Sequence, residues 1–392
     1  MTDSPFVEFQ TDNLMLLMGT NPLPNYVAAR LLAKPDTRLH LVVTPEIMQS
    51  GAPKTLLELL GRYPQDEELY LDVPSSDPDA IFERVQERVS NTPGSWGLHY
   101  TGGKKSMVTH AYRAAEAVLT TPREKGTYSY LDADTLEMVI ESPKYPAVQR
   151  PKAHKKVDVS IEQLLKMYGR PLSASPETEP YQPEVCKKIV SYCQDKVQRE
   201  AWSCWAAALR RNGKNLTNQQ ARQVDIPNSL QPVLGGKTIA DLEATWQPQK
   251  KAEQIGEWLH GKWLEHYVLA EINSLPKHLH LNDVGCSIKP RSIAHFEVDI
   301  VVMQGYRMFA ISATTDIDGL NKLKLMEITV RAQQMGGDEA RVALITFSDK
   351  ADQLQRQATE VWGNHHRSRI RVFGLTQLPN LADQLAAWFK ED

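Results

Sequence analysis

Two acids in the last third of the chain have the types and spacing for divalent-cation chemistry. Glu265 sits in a helical pattern running from Ala252 to Leu275, where Trp258, Gly261, Val268, Leu269 and Ile272 recur at three-and-four spacing. About twenty residues on, a hairpin reads SIAHFEVDIVVM, then Gln304-Gly305, then YRMFAISATT. Side chains alternate along a strand, so Phe296, Val298, Ile300 and Val302 line one face while Glu297 and Asp299 point to the other. A carboxylate on an apolar helical face is costly unless it is paired or bound to a cation. Two such acids beside a hairpin suggest a divalent-metal site. The same spacing also fits a helix-edge glutamate and a solvated strand aspartate.

A second constellation lies near the start. In Thr101-Gly102-Gly103-Lys104-Lys105-Ser106 the glycines let backbone N–H groups approach a ligand, and the lysines and the following helix dipole favour an anion. The stretch Gly19 to Asn25 (GTNPLPN) offers small and polar groups after an earlier strand. Neither is a nucleotide fingerprint: the first lacks GxGxxG and the second lacks Walker spacing. Ordinary glycine-containing turns would carry the same residues.

The elements that must hold these groups are legible as pattern. Up to about residue 140, apolar runs (Asn13–Met18, Leu39–Val43, Leu69–Val73, Trp96–Tyr100) alternate with helical stretches, which predicts a parallel sheet with helices on both faces. Such sheets bind ligands at the carboxyl ends of their strands. A β-like pair (TYSYLDAD, LEMVIES) follows, and Ser142 to Val157 reads as a linker or exposed loop. Val159 to Tyr168 predicts an amphipathic helix and Val185 to Arg211 one long helix, with Trp202 and Trp205 in its core. From about Lys250 the order is helix, strand, hairpin, helix, strand, helix, strand, helix.

At 392 residues the chain exceeds one ordinary core. Its 41% hydrophobic and 24% charged content is that of a soluble globular protein. With Lys+Arg 45 against Asp+Glu 48, nucleic-acid contact must come from local basic patches. The first residues carry no signal-peptide pattern and no run is long enough to span a bilayer, which predicts a cytoplasmic protein without membrane contact. Cys186, Cys193, Cys204 and Cys286 form no CxxC pair; the first three are spaced to share a helical face as reduced thiols.

The pairing of GTNPLPN with HYTGGKKSM resembles the ligand loops of CARF domains. That family has a Rossmann-like fold, forms homodimers and senses the cyclic oligoadenylates of type III CRISPR antiviral defence. The resemblance implies that Thr101, Gly102, Gly103, Lys104, Lys105 and Ser106 face the phosphates and riboses of a ring such as cyclic tetra-adenylate. Gly19, Thr20, Asn21 and Asn25 would line the other side.

The later part resembles the PD-(D/E)XK nuclease core, an α/β domain with a mixed sheet. The segments GKWLEHYV and RAQQMGGDEARVALI look like members of the group that joins such a domain to a CARF sensor. The resemblance implies residues 1–145 as sensor, 146–248 as linker and helical connection, and 249–392 as nuclease-like domain. Glu265 and Asp299 would hold Mg²⁺ or Mn²⁺, for cleavage of DNA or RNA. The family's acid-x-lysine on the second arm is missing, because that position reads Ile311-Ser312-Ala313-Thr314. The expectation is that Lys324, and less so Lys322, supplies the lysine from the next helix, with Ser312 assisting at the metal. Lys324 shares a helical face with Glu327 and Arg331, whereas Lys322 groups with the packing residues Met326 and Ile328 to Val330. The alternative is a cyclic-oligoadenylate-binding regulator whose nuclease domain is inactive.

Overall fold

The computed structural model describes residues 4–62, 69–119, 126–211, 214–291, 296–316, 321–362 and 369–391. Its first sheet has strands β1 (Thr11–Leu17), β2 (Ala33–Val43), β3 (Tyr70–Asp72), β4 (Trp96–His99), β5 (Thr127–Leu131) and β6 (Met138–Glu141). They lie in the order β3-β2-β1-β4-β5-β6, all parallel except β6. Helices cover both faces, so β1 is buried along nearly its whole length and reads as a continuous apolar run. The chain order reverses between β1 and β4. The two loops singled out in the sequence follow these strands, side by side in the crevice where such sheets bind ligands.

The connecting region departs from expectation in three ways. Residues 149–159 are not a free linker. Gln149 and Lys152 bridge to Ile140 and Glu137, and Val159 N–H donates to the Gly305 carbonyl of the second sheet at 3.0 Å. Ala153 and Val159 are fully buried, because this segment covers apolar surface from both sheets. The long helix breaks into Pro183–Tyr192 and Lys196–Ala207, since Asp195 accepts from Gln198 N–H and caps a new helix. Consequently Cys186 and Cys193 are buried while Cys204 is exposed, and the three do not share a face. A small hairpin, β7 (Arg210–Arg211) and β8 (Lys214–Asn215), follows.

The second sheet contains β9 (Leu281–Ile288), β10 (Val298–Gln304), β11 (Arg307–Thr314), β12 (Arg341–Thr346) and β13 (Ile370–Phe373), in the order β13-β12-β11-β10-β9. The first three strands are antiparallel, and β11, β12 and β13 are parallel. Both faces are covered. Ile300 and Val302 belong to the core beneath the helix Trp263–Asn273, and Val301 and Met303 to a core that continues through Leu164 and Leu165 to the first sheet. Phe296 and Val298 pack into the same core as Val301 and Met303, so they do not share one face with Ile300 and Val302 as strict alternation predicted, and Asp299 between them is half-buried.

The helix carrying Glu265 is not one regular α-helix. Ala252–Glu257 and Trp263–Asn273 are α-helical, and Trp258–Lys262 between them forms a π-turn. An added residue of this kind rotates everything upstream relative to the following α-helix, so the three-and-four spacing read across it does not describe one stripe. Trp258 and Trp263 are buried and anchor the two halves. Truncating either ring would cost about 3–5 kcal/mol.

Candidate functional site

The two loops at the β1–β4 crevice touch one another. A Cβ on Gly102 would lie 2.2 Å from the Leu17 carbonyl, so only glycine allows this approach. Asn25 is fully buried beneath the loops and donates to that same carbonyl at 3.0 Å; it ties them together from below and presents no surface of its own. The Thr101 hydroxyl accepts from Leu131 N–H at 2.6 Å, and the Ser106 hydroxyl donates to the Ser75 carbonyl at 3.1 Å. Lys104 and Lys105 are exposed at the start of the helix Lys105–Val118, where the helix dipole adds to their charge. Gly19 and Thr20 flank the crevice from β1. Two lysines, a helix N-terminus and small residues form a floor suited to phosphate groups.

Asn21 points elsewhere. Its amide donates to Glu339 Oε2 at 3.2 Å, and its Oδ1 accepts from the Tyr168 hydroxyl at 2.5 Å. Glu339 lies in the 3₁₀ turn Gly337–Glu339, at the end of the helix that carries Lys324. A Cβ on Gly337 would sit 2.6 Å from Asn21 Nδ2, and its φ of +67° is also one that favours glycine. Burial pushes the Glu339 carboxyl up to about 7.

In the second sheet, Asp299 Oδ2 accepts from Ser312 Oγ at 2.9 Å and from Ala313 N–H at 2.7 Å. Burial raises its pKa, and these two donors oppose that shift. Glu265 is pushed up to about 8, chiefly by burial, then by the charges of Asp299 and Glu297. The Cys286 thiol lies 3.8 Å from Glu265 Oε2. Among the described residues neither Glu265 nor Asp299 has an ion-pair partner. Two mutually repelling carboxylates are the donor set of a hard divalent cation, which commonly takes one or two protein carboxylates and fills its shell with water and phosphate. No group of three or more His, Cys, Asp or Glu suited to a metal occurs among the described residues, so this pair would be the main protein contribution.

Lys324 comes to Thr314. Its ammonium donates to Thr314 Oγ1 at 2.5 Å and to Asp316 Oδ2 at 2.9 Å. Arg331, two turns along the same helix, donates to the Glu297 carbonyl at 2.6 Å, pairs with Glu327 and lies over the Phe296 ring. The Lys324–Glu327–Arg331 face thus turns toward the hairpin. Lys322 is exposed, and its neighbours Leu323, Met326 and Val330 are 65%, 52% and 54% exposed, so that side of the helix is not the packing face expected.

The two sheets with these strand orders can be set beside known structures. Protein VC1899 from Vibrio cholerae matches with a TM-score of 0.69 at 13% identity, over 97% of this chain and 98% of that one. Can2 from Sulfobacillus thermosulfidooxidans, solved in complex with cyclic tetra-adenylate, matches with a TM-score of 0.69 at 17% identity, over 97% and 99%. The chain has the fold of Can2. A mostly parallel sheet of Rossmann-like order is followed by a mixed five-stranded sheet, the fold class the sequence predicted. No protein-family model and no curated protein matches the chain.

Sequence reasoning missed two features near the candidate residues. One is Lys262, which the π-turn places beside the acids. Burial opposes its charge, but Glu257 at 3.2 Å, with Glu265 and Glu297, holds its pKa above the usual lysine value. Position three before Glu265 on a helix was a usable signal. The other is the Asn21–Glu339–Tyr168 cluster, which joins residues far apart in the chain and has no local signature. Among the described residues, no helix is long and apolar enough to cross a membrane.

Proposed function

We propose that this protein is a cyclic-oligoadenylate-activated, metal-dependent nuclease that cleaves DNA or RNA in CRISPR-type antiviral defence. Residues 1–145 act as sensor, 146–248 as connection and 249–392 as effector. One observation carries the reading: Lys324 delivers its ammonium to Thr314, the position from which the family's missing lysine would act. The charge is restored by a different element of the fold.

Several contacts support the roles assigned in this reading. Glu265 and Asp299 hold Mg²⁺ or Mn²⁺, with Ser312 and Ala313 N–H keeping the Asp299 carboxylate oriented. A bound divalent ion supplies a water of lowered pKa and offsets phosphate charge. Lys324 stabilises the charge that develops on the phosphate, and Lys262 stands on the Glu265 side of the site. Lys104 and Lys105 meet the phosphates of cyclic tetra-adenylate, the ring bound by Can2. A ring with two-fold symmetry is most simply bound on the axis of a homodimer.

A second reading, a ring-binding regulator without nuclease activity, is favoured by Ser312. It replaces an acid and gives its hydrogen bond to Asp299, occupying an oxygen that a metal would use. Purified protein incubated with plasmid DNA and with RNA, with and without cyclic tetra-adenylate and Mn²⁺, separates the two. Ring-dependent cleavage that Glu265→Ala and Asp299→Ala abolish, with ring binding intact, supports the nuclease. Ring binding with no cleavage of either substrate supports the regulator.

A further inference from the structure

A cavity of about 510 Å³ lies at the far end of the first sheet from the β1–β4 crevice, and none of the roles above uses it. The helix Lys105–Val118 starts at the crevice, and its other end brings Tyr112, Glu116 and the following Leu119 to the cavity. At 14 residues this helix is about 21 Å long, so the cavity is remote from Lys104 and Lys105. Tyr128 at the start of β5 and Glu141 at the end of β6 form a second wall, and the turn after β6, with Tyr145, forms a third.

We propose that this cavity binds a linear alkyl diamine or polyamine, its ammonium groups at Glu116 and Glu141 and its methylene chain along the tyrosines. The inference does not rest on the nuclease reading.

Charge selects a cation. Glu116 is exposed and Glu141 half-buried, and among the described residues neither has an ion-pair partner. Burial first, and then neighbouring charges that include both acids, hold the Tyr112 and Tyr128 hydroxyls above the usual tyrosine pKa. The two acids therefore stand close to the same pair of rings. Lys144, beside them in sequence, gives its ammonium to the Glu8 carbonyl. Two carboxylates on one cavity repel each other, and a ligand with two positive charges relieves both.

The rest of the lining selects an organic cation with an apolar spacer. Tyr112, Tyr128 and Tyr145 are half-buried, so ring surface stays open to the cavity. The Tyr112 and Tyr128 rings stand 4.6 Å apart between centroids, inclined at 40°. Ammonium groups are attracted to the faces of such rings. Leu119, Pro143 and Pro146 add apolar surface for the methylenes between the charges. A hydrated metal ion would use neither the rings nor the prolines. The volume falls within the range of small-ligand pockets. The Tyr128 hydroxyl oxygen is also buried without a hydrogen-bond partner among the described residues, and hydroxyls so placed normally have one.

The test is titration calorimetry of the full chain at constant ionic strength, with putrescine and spermidine as probes. Butylammonium carries one charge on the same chain, and butanediol carries none. The expected result is saturable binding of putrescine and spermidine at one per chain. Butylammonium should bind about tenfold more weakly or worse, because one charge-assisted contact is lost. Butanediol should not bind. Glu116→Gln and Glu141→Gln should each weaken putrescine about tenfold or more, with the melting temperature close to wild type. Glu360→Gln, which removes an exposed acid on the helix Ala351–Trp362, should change nothing. Many weak sites that Glu360→Gln reduces as much as Glu141→Gln does would mean general screening of surface acids and overturn the proposal. Equal affinity for butylammonium and putrescine, unchanged affinity in both cavity variants, or no binding at all would overturn it too. None of these outcomes bears on nuclease activity.

Discussion

The Asn21 amide donates to Glu339 Oε2 at 3.2 Å, joining a loop at the β1–β4 crevice to the end of the helix that carries Lys324. The two residues are 318 positions apart in sequence, and the carboxylate is only 3% exposed. A buried carboxyl with so few partners is sensitive to any movement of the residue it bonds. Under the proposed function, a ring bound at the Gly19–Asn25 loop would displace or fix that loop, and this hydrogen bond would carry the change to the helix that holds Lys324.

Glu339→Ala should therefore uncouple the two halves. Ring affinity should stay within about threefold while the ring no longer raises cleavage. Losing the partner of the half-buried Asn21 amide should also cost about 1 kcal/mol of stability. Glu339→Gln, which keeps an acceptor, should retain most of the coupling. Calorimetry paired with cleavage assays checks this, and full ring-dependence in Glu339→Ala would remove the path.

Ring binding itself should depend on the exposed lysines. Losing a charge-assisted hydrogen bond costs roughly 1.5–3 kcal/mol, so Lys105→Ala or Lys104→Ala should weaken cyclic tetra-adenylate about tenfold or more. Titration calorimetry should give one ring per two chains, and light scattering a dimer. A stoichiometry of one ring per chain contradicts the two-fold arrangement.

The lysine assignment predicts unequal losses. Lys324→Ala should lower the cleavage rate by about 10²–10³, and Lys322→Ala, whose side chain is exposed, far less. Lys262→Ala separates the two sides of the site. If Lys262→Ala alone abolishes turnover while Lys324→Ala is silent, the charge comes from the π-turn and not from the helix after the hairpin.

Glu265 gives a pH signature. Its folded-state pKa, about 8, lies above the unfolded value near 4.5. A raised carboxyl favours folding in its neutral form, so its contribution is fully present below about 4.5 and is lost as pH rises through about 8. The metal-free protein should lose thermal stability over that window, and Glu265→Gln should flatten the loss. Glu339, at about 7, adds a slope of the same sign, so the comparison of wild type with Glu265→Gln isolates the site. Mn²⁺ affinity should rise with pH over the same window, because the metal must displace a proton. Calorimetry in buffers of different ionisation enthalpy counts that proton.

Local pattern made much of this legible. The alternation of apolar strands and helices gave the first sheet and its crevice loops, because parallel strands buried on both faces read as unbroken apolar runs. The hairpin was equally visible, but its alternation fails at the start of β10, where Phe296 and Val298 pack with Val301 and Met303 and not with Ile300 and Val302. Errors came where a non-local partner or an irregular turn intervened. Asp195 split one helix into two by capping. The π-turn Trp258–Lys262 broke the stripe on which Glu265 was placed. Residues 149–159 read as a linker by their Pro, Lys and Arg content, yet they are held by backbone hydrogen bonds that composition does not record.

By itself, then, the sequence determined which residue types stand at each strand end and which helices and strands they belong to, because those depend on spacing of a few residues. Only the tertiary structure decided which of them meet. Lys324 reaches Thr314 because the helix Asn321–Gly336 packs across β11. Asn21 reaches Glu339 because a core continuous between the two sheets brings a loop of one against a turn of the other. Contacts of that kind depend on how whole layers are packed, and no local period encodes them.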